Sequence, residues 1–202
     1  MKLYFSPHAC SFSPHIALRE AGLDFELVRV DLATHKLPDG SDFSRINPKG
    51  YVPVLELDNG AVLTEGPVIV QYIADLKPES GLAPAAGTFE RYRLQEWLGF
   101  INSEVHKGFV PLFEPETPDE YKTIARQSLI NRLAFLADHL AGNTFLMGKQ
   151  FTVADGYLFT VLNWCQWTGV DLKQWPSLVA FQERVSGRPS VREARAAEAA
   201  KG

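Results

Sequence analysis

Two thiols, two histidine-bearing segments and one exposed-looking acidic turn are the residues of this chain best suited to chemistry. Cys10 lies in Ser6-Pro7-His8-Ala9-Cys10-Ser11-Phe12-Ser13-Pro14, between an apolar strand-like run and the start of a helix-like one. A helix N-terminus offers unpaired backbone N–H groups and the positive end of the dipole, which together favour a thiolate. Cys10 can therefore be a reactive thiol or a partner for a second sulfur. It can equally be a small residue filling a loop, and placement alone leaves both readings open. Cys165 is different. It ends the apolar run Leu158-Phe159-Thr160-Val161-Leu162-Asn163-Trp164-Cys165 and reads as a core thiol that behaves as a small hydrophobe.

Two further turns could hold a ligand. In Tyr51-Val52-Pro53-Val54-Leu55 the proline cannot donate to a sheet ladder. A cis Val52–Pro53 bond would turn the N–H and C=O of Val52 outward, where an extended peptide could pair with them. A trans proline at a strand start is the commoner alternative. In Thr64-Glu65-Gly66-Pro67 a carboxylate precedes a glycine at a helix start. That supplies an acceptor for an ammonium group and an accessible N–H for a carboxylate, or simply a helix cap. His106-Lys107 lies on a long amphipathic helix and, taken alone, reads as solvated surface.

The elements that must position these residues fall into two halves. In residues 1–77, Lys2 to Phe5 reads as a strand, Pro14 to Ala21 as a helix stopped by Gly22, and Phe25 to Val30 as a second strand. Strand, helix, strand in this order suggests a βαβ unit with parallel strands, whose carboxyl ends collect ligands. Val54 to Leu57 and Ala61 to Thr64 flank Asp58-Asn59-Gly60, a hairpin signal, and Pro67 opens another helix. Residues 78–88 are rich in Pro, Gly, Ser and Ala and read as a linker. Residues 89–202 carry helical periodicity only: Phe89 to Phe109, Asp119 to Leu140, Thr152 to Trp167 and Pro176 to Val185. An alanine-rich stretch from Ala194 to Lys201 is expected to fray. Thr152-Val153-Ala154-Asp155 has capping-box spacing, which gives Asp155 a structural role. The fold class is α/β plus all-α.

Composition narrows the function. A net charge of −4 with no run of like charge argues against nucleic acid as a partner. The opening apolar run is too short for a signal peptide, and no stretch of about 20 apolar residues follows, so a cytoplasmic protein without membrane contact is expected. Two cysteines cannot build a disulfide framework or a zinc site, so no metal centre is expected.

Taken in order, these segments resemble the cytosolic glutathione transferases, most closely their bacterial beta class. The resemblance spans essentially the whole chain. It rests on Met1 to Ser11, on Asn47-Pro48-Lys49-Gly50-Tyr51-Val52-Pro53-Val54-Leu55, and on Leu63-Thr64-Glu65-Gly66-Pro67. It continues through Glu104-Val105-His106-Lys107 and Thr152 to Asp155. It implies a thioredoxin-like N-terminal domain with Pro53 cis, a helical-bundle C-terminal domain, and a homodimer. It also implies glutathione as co-substrate, with no tightly bound cofactor. Cys10, Ser11 and His106 would then act on the glutathione sulfur. Val52 would pair with the cysteinyl part, and Glu65 and Gly66 would hold the γ-glutamyl end. Many relatives have serine where Gly66 stands, so the backbone N–H alone remains there. His35 falls where relatives often carry lysine near the glycyl carboxylate, and a neutral imidazole would hold that group more weakly and in a pH-dependent way. Ser103 and Glu104 would reach the γ-glutamyl group across a dimer interface. Lys107, Phe109, Phe113 and Trp164 would line an apolar cleft between the domains for a hydrophobic electrophile.

Three activities are compatible with this reading. Conjugation of the glutathione thiolate to a halogenated or aromatic electrophile is the first. Thiol–disulfide or reductive dehalogenation chemistry through a Cys10 mixed disulfide is the second, since Cys10-Ser11-Phe12-Ser13 has serine where a dithiol motif has its resolving cysteine. Non-enzymatic binding of apolar ligands is the third.

Overall fold

The structure is a computed structural model that describes residues 1–201. Its contacts divide the chain into two compact units, one formed by Met1–Ala83 with the residues from Gly187 onward, the other by Pro84–Ser186.

The first unit is built on four strands, β1 (Lys2–Phe5), β2 (Glu26–Arg29), β3 (Val54–Glu56) and β4 (Val62–Thr64), in the order β2-β1-β3-β4. Helix α1 (Phe12–Glu20) connects β1 to β2, and α2 (Gly66–Leu76) follows β4. β1 runs parallel to β2, with Leu3 opposite Leu27, and antiparallel to β3, with Leu3 opposite Leu55. β3 and β4 form the hairpin expected from Asp58-Asn59-Gly60, with Gly60 at φ 82°. This is the βαβ–ββα order of the thioredoxin-like expectation. β1 is buried on both faces, which explains its unbroken apolar run. Tyr4 packs with Val30, Phe43, Val52 and Val54 on one face of the sheet, in register with its cross-strand partner Val54. That layer draws the long connection after β2 onto the sheet and fixes the loop that carries Val52.

The C-terminal stretch is helical and packed. Pro189–Ala199 forms a helix that packs on α1 and belongs to the first unit. Val191, Ala194 and Glu198 are buried, so the alanines serve a close helix–helix approach. His15, wholly buried on α1, pairs through Nδ1 with Glu198 Oε1 at 2.8 Å, while Arg19 Nε donates to His15 Nε2 at 3.0 Å. At the last residue of α1, next to Arg19, Arg188 makes a two-pronged contact with Glu20, at 2.5 and 2.8 Å.

The second unit is all helical: α3 (Phe89–Phe100), α4 (Lys107–Phe113), α5 (Asp119–Ala141), α6 (Val153–Leu162), α7 (Cys165–Thr168) and α8 (Pro176–Ser186), with the final helix of the first unit numbered α9. The single helix expected over Phe89 to Phe109 is interrupted. Ile101–His106 is π-helical, and the N–H of Lys107 reaches back five residues to the carbonyl of Asn102. The extra residue turns all later side chains by about 100° about the axis relative to an unbroken α-helix. The helix expected from Thr152 to Trp167 also breaks, after Leu162. Asn163 Nδ2 donates to the Phe159 carbonyl and Thr168 Oγ1 to that of Trp164, and Gly169 at φ 69° ends the segment. The capping box forms, with the Asp155 carboxylate accepting from the backbone N–H groups of Thr152 and Leu146 at 2.8 Å each. Cys165 is buried and its thiol is pushed up to about 12 by that burial, as befits a core residue.

Candidate functional site

Cys10 stands just outside the start of α1, its carbonyl accepting the N–H of Ser13 at 3.2 Å. Its side chain is partly exposed, and Sγ lies 3.4 Å from the carbonyl oxygen of Val52. The loop that presents it is tied by Ser11. The Ser11 hydroxyl accepts from Ser6 N–H at 3.2 Å and donates to Ser6 C=O at 3.3 Å, and the residue is 0% exposed. Its hydroxyl is engaged on its own loop, so Ser11 shapes the turn that holds Cys10.

The Val52–Pro53 bond is cis. Asn47, almost wholly buried, organises the approach to it: Nδ2 donates to the Tyr51 carbonyl at 2.7 Å and Oδ1 accepts from Lys49 N–H at 3.2 Å. Val52 is itself buried, but its carbonyl is the group that meets Cys10.

Glu65 caps α2 from an unusual backbone position, φ 70° and ψ 108°, a region non-glycine residues seldom occupy. Its carboxylate Oε1 accepts from Lys49 Nζ at 2.6 Å and from Tyr51 OH at 2.8 Å. These bonds hold the Lys49 ammonium above its ordinary range and raise the Tyr51 phenol. Gly66 follows as the first residue of α2, where a backbone N–H has no intrahelical acceptor. Lys49 and Tyr51 were not singled out as site residues from the sequence. The signal was their place beside Val52 in the Asn47–Leu55 segment. His35 is exposed at φ 54°, and its imidazole closes over Gly50, where an added Cβ would lie 3.0 Å from His35 Cε1. Gly50, at φ 75°, thus permits the His35 ring to pack onto the loop before Val52.

In the second unit, His106 ends the π-helical turn. Nδ1 is 2.6 Å from Tyr157 OH, which donates to Asn102 Oδ1 at 3.0 Å. The ring meets Trp164 edge to face at 4.8 Å between centroids. Burial, with the Lys107 charge adding to it, lowers His106 to about 4, so the imidazole is neutral at physiological pH. Phe109, Phe113 and Trp164 form one aromatic cluster with centroids 5.7 to 6.4 Å apart. Phe109 is 0% exposed and backs the cluster. Phe113, 44% exposed, presents an accessible ring at the end of α4, and Lys107 is exposed at its start. Ser103 and Glu104 are placed elsewhere. Ser103 Oγ donates to the Gly99 carbonyl at 3.0 Å, and Glu104 pairs with Arg132 Nε at 2.8 Å in a groove lined by Trp97, Phe100 and Phe135.

The structure thus assembles two groups of residues. In the first unit, Cys10 and Val52 meet directly, and Glu65, Lys49 and Tyr51 form a charged cluster beside Gly66. In the second, His106, Tyr157 and Trp164 form a partly buried cluster backed by Phe109.

Comparison with known proteins identifies both units. Residues 9–76 match the glutathione S-transferase N-terminal domain and residues 100–189 the glutathione S-transferase C-terminal domain. The chain is 45% identical to glutathione S-transferase GstA of Escherichia coli O157:H7 over the whole of both chains. Among solved structures, a ternary complex of BphK, a bacterial glutathione transferase, superposes with a TM-score of 0.97 at 59% identity, covering 98% of this chain and all of that one. A sphingomonad glutathione S-transferase complexed with glutathione gives 0.96 at 52% identity, covering 98% and 99%. The beta-class enzyme of Sphingomonas chungbukensis gives 0.95 at 50% identity, covering 98% of each chain. The chain belongs to the glutathione transferase family, in its bacterial beta class.

Proposed function

We propose that this transferase joins the glutathione sulfur to small apolar electrophiles, halogenated or aromatic, with glutathione held by the cis-proline loop and the start of α2. The observation that carries the reading is the 3.4 Å approach of Cys10 Sγ to the Val52 carbonyl. A thiol is a weak donor, so the cysteinyl N–H of glutathione displaces it from that carbonyl at little cost. Cys10 then donates its S–H to the incoming glutathione sulfur, and the dipole of α1 favours negative charge there.

The γ-glutamyl end carries an ammonium and a carboxylate, and the Lys49–Glu65 pair offers the complementary charges. The ammonium goes to Glu65. The carboxylate goes to the Gly66 N–H and to Lys49, which supplies what a serine hydroxyl supplies in relatives. His35 meets the glycyl carboxylate through its imidazole, where relatives often carry lysine. The protein acts as a homodimer, in which Ser103 and Glu104 serve the γ-glutamyl group of the partner copy.

His106 is neutral at working pH and so has a lone pair for the thiol proton, and its lowered value makes it a weaker base than an ordinary imidazole. The thiolate attacks carbon, the C–S bond forms, the carbon–halogen bond breaks, and its electron pair leaves with halide. Lys107, Phe113 and Trp164 provide an apolar wall with one cationic edge for the electrophile.

The test is a screen of aryl and alkyl halides with glutathione, reading thioether formation and halide release together. Thioether and halide in equal amounts are the expected result. Halide released with oxidised glutathione, and a glutathione adduct on Cys10 by mass spectrometry, would instead establish the reductive route.

A further inference from the structure

The π-helical turn places Asn102 and His106 on either side of one hydroxyl, that of Tyr157 on α6. We infer that Asn102 and Tyr157 are positioning residues that fix the proton of His106 on Nδ1 and leave Nε2 as a bare acceptor. A tyrosine hydroxyl has one proton to give. Here it goes to Asn102 Oδ1, an amide oxygen that can only accept. The hydroxyl oxygen must then accept from His106, so the 2.6 Å contact is Nδ1–H donating to Tyr157. A neutral imidazole has a single N–H, so Nε2 carries the lone pair.

The surroundings keep the ring neutral and fixed. Burial disfavours the imidazolium, and the adjacent Lys107 ammonium adds to the effect. Tyr157 and Trp164 are the ring neighbours, both edge to face, and neither carries a charge at neutral pH. Asn102 does not touch the imidazole in this chain of contacts. It acts through the hydroxyl, in the way that outer groups set the tautomer of a working histidine. The inference rests on the reading of His106 as a proton acceptor, but the tautomer is a property of the free protein and can be measured without substrate.

The test is a long-range proton–nitrogen NMR spectrum of the full-length protein at neutral pH, with the His106 signals assigned from a His106→Gln variant. The wild type is expected to show the proton on Nδ1. In Asn102→Leu the Tyr157 hydroxyl loses its acceptor and turns its proton onto Nδ1, so the histidine proton moves to Nε2. Asn102→Asp keeps an acceptor for Tyr157 and keeps the wild-type tautomer, which separates the acceptor role from simple packing. Turnover of Asn102→Leu is expected to fall by about tenfold or more, with glutathione affinity unchanged. A wild-type spectrum with the proton on Nε2 overturns the inference, as does an Asn102→Leu spectrum like that of the wild type. Should the leucine variant fail to fold, the wild-type spectrum and Tyr157→Phe decide in the same way: loss of the fixed Nδ1–H form in Tyr157→Phe supports it, and retention overturns it. Spectra as expected with unchanged turnover in Asn102→Leu would leave the tautomer assigned and contradict the proton-acceptor reading of His106.

Discussion

Cys10 and Val52, 42 residues apart in sequence, meet through a thiol Sγ 3.4 Å from a carbonyl oxygen. The contact joins the turn after β1 to the turn before β3, and it occupies a backbone acceptor that an extended peptide would need. Sheet pairing of β1 with β3 brings the two turns to the same edge, so the contact follows from the register. Its weakness matters as much as its presence, because the groups remain available for exchange when glutathione arrives.

Replacing Cys10 separates the two consequences. Cys10→Ala removes the donor from the Val52 carbonyl, so glutathione binds with affinity within about threefold of wild type, a difference below 1 kcal/mol. Turnover falls by about tenfold or more, because no thiol remains to stabilise the glutathione sulfur. Steady-state kinetics with several electrophiles, paired with a glutathione titration, reads both numbers. Full affinity with full turnover would remove Cys10 from the mechanism.

Lys49 tests the charge complementarity at the γ-glutamyl end. Its ion pair with Glu65 is exposed, and such pairs contribute little to folding. Lys49→Met is therefore expected to melt at the wild-type temperature while binding glutathione about tenfold more weakly, as fits the loss of one charge-assisted hydrogen bond. Thermal denaturation and a glutathione titration on the same preparation check the pair of outcomes. Equal affinity would contradict the role given to Lys49.

The buried His15–Glu198 contact predicts how stability varies with pH. Burial raises Glu198 to about 8, whereas burial and the Arg19 charge lower His15 to about 3. Between pH 4.5 and 8 the folded chain holds more protons at Glu198 than the unfolded chain, so this residue makes stability fall as pH rises. His15 acts in the opposite sense, but only below its ordinary value of 6.5, where the unfolded chain takes the proton. The loss should therefore be clearest from pH 6.5 to 8. Glu198→Gln keeps an acceptor for His15 Nδ1–H and removes the titration. Urea unfolding of wild type and variant across that interval should show a falling wild-type midpoint and a flatter one for the variant. Parallel curves would contradict the assignment.

Much of this architecture was legible in the chain because local signals agreed with one another. Asn59-Gly60 marks the hairpin, Pro67 the start of α2, and the apolar run at Lys2 to Phe5 a strand. The site was legible only at its backbone. Cys10, Val52 and Glu65 belong to turns whose chemistry is local, whereas the contacts of Lys49 and Tyr51 with Glu65 span 14 to 16 residues and depend on where the hairpin sets them. Ser11 and Phe109 show the same limit from the other side. A hydroxyl beside a thiol and an aromatic ring one turn from a histidine look available in sequence, yet both are wholly buried. The π-helical turn at Ile101–His106 changes the direction of each later side chain, and no residue type in that stretch announces it. At the C-terminus alanine-rich composition suggests fraying, whereas the burial of Ala194 and Glu198 against α1 is a tertiary effect.

Glutathione binding at the start of α2 is the central claim, and one measurement addresses it most directly. Calorimetric titration of wild type and Glu65→Gln with glutathione, and with cysteinylglycine, which lacks the γ-glutamyl end, isolates that end of the ligand. The account predicts that Glu65→Gln weakens glutathione by about tenfold to a hundredfold, in keeping with removal of a charged partner, and leaves cysteinylglycine unaffected. Equal glutathione affinity in the two proteins would contradict it.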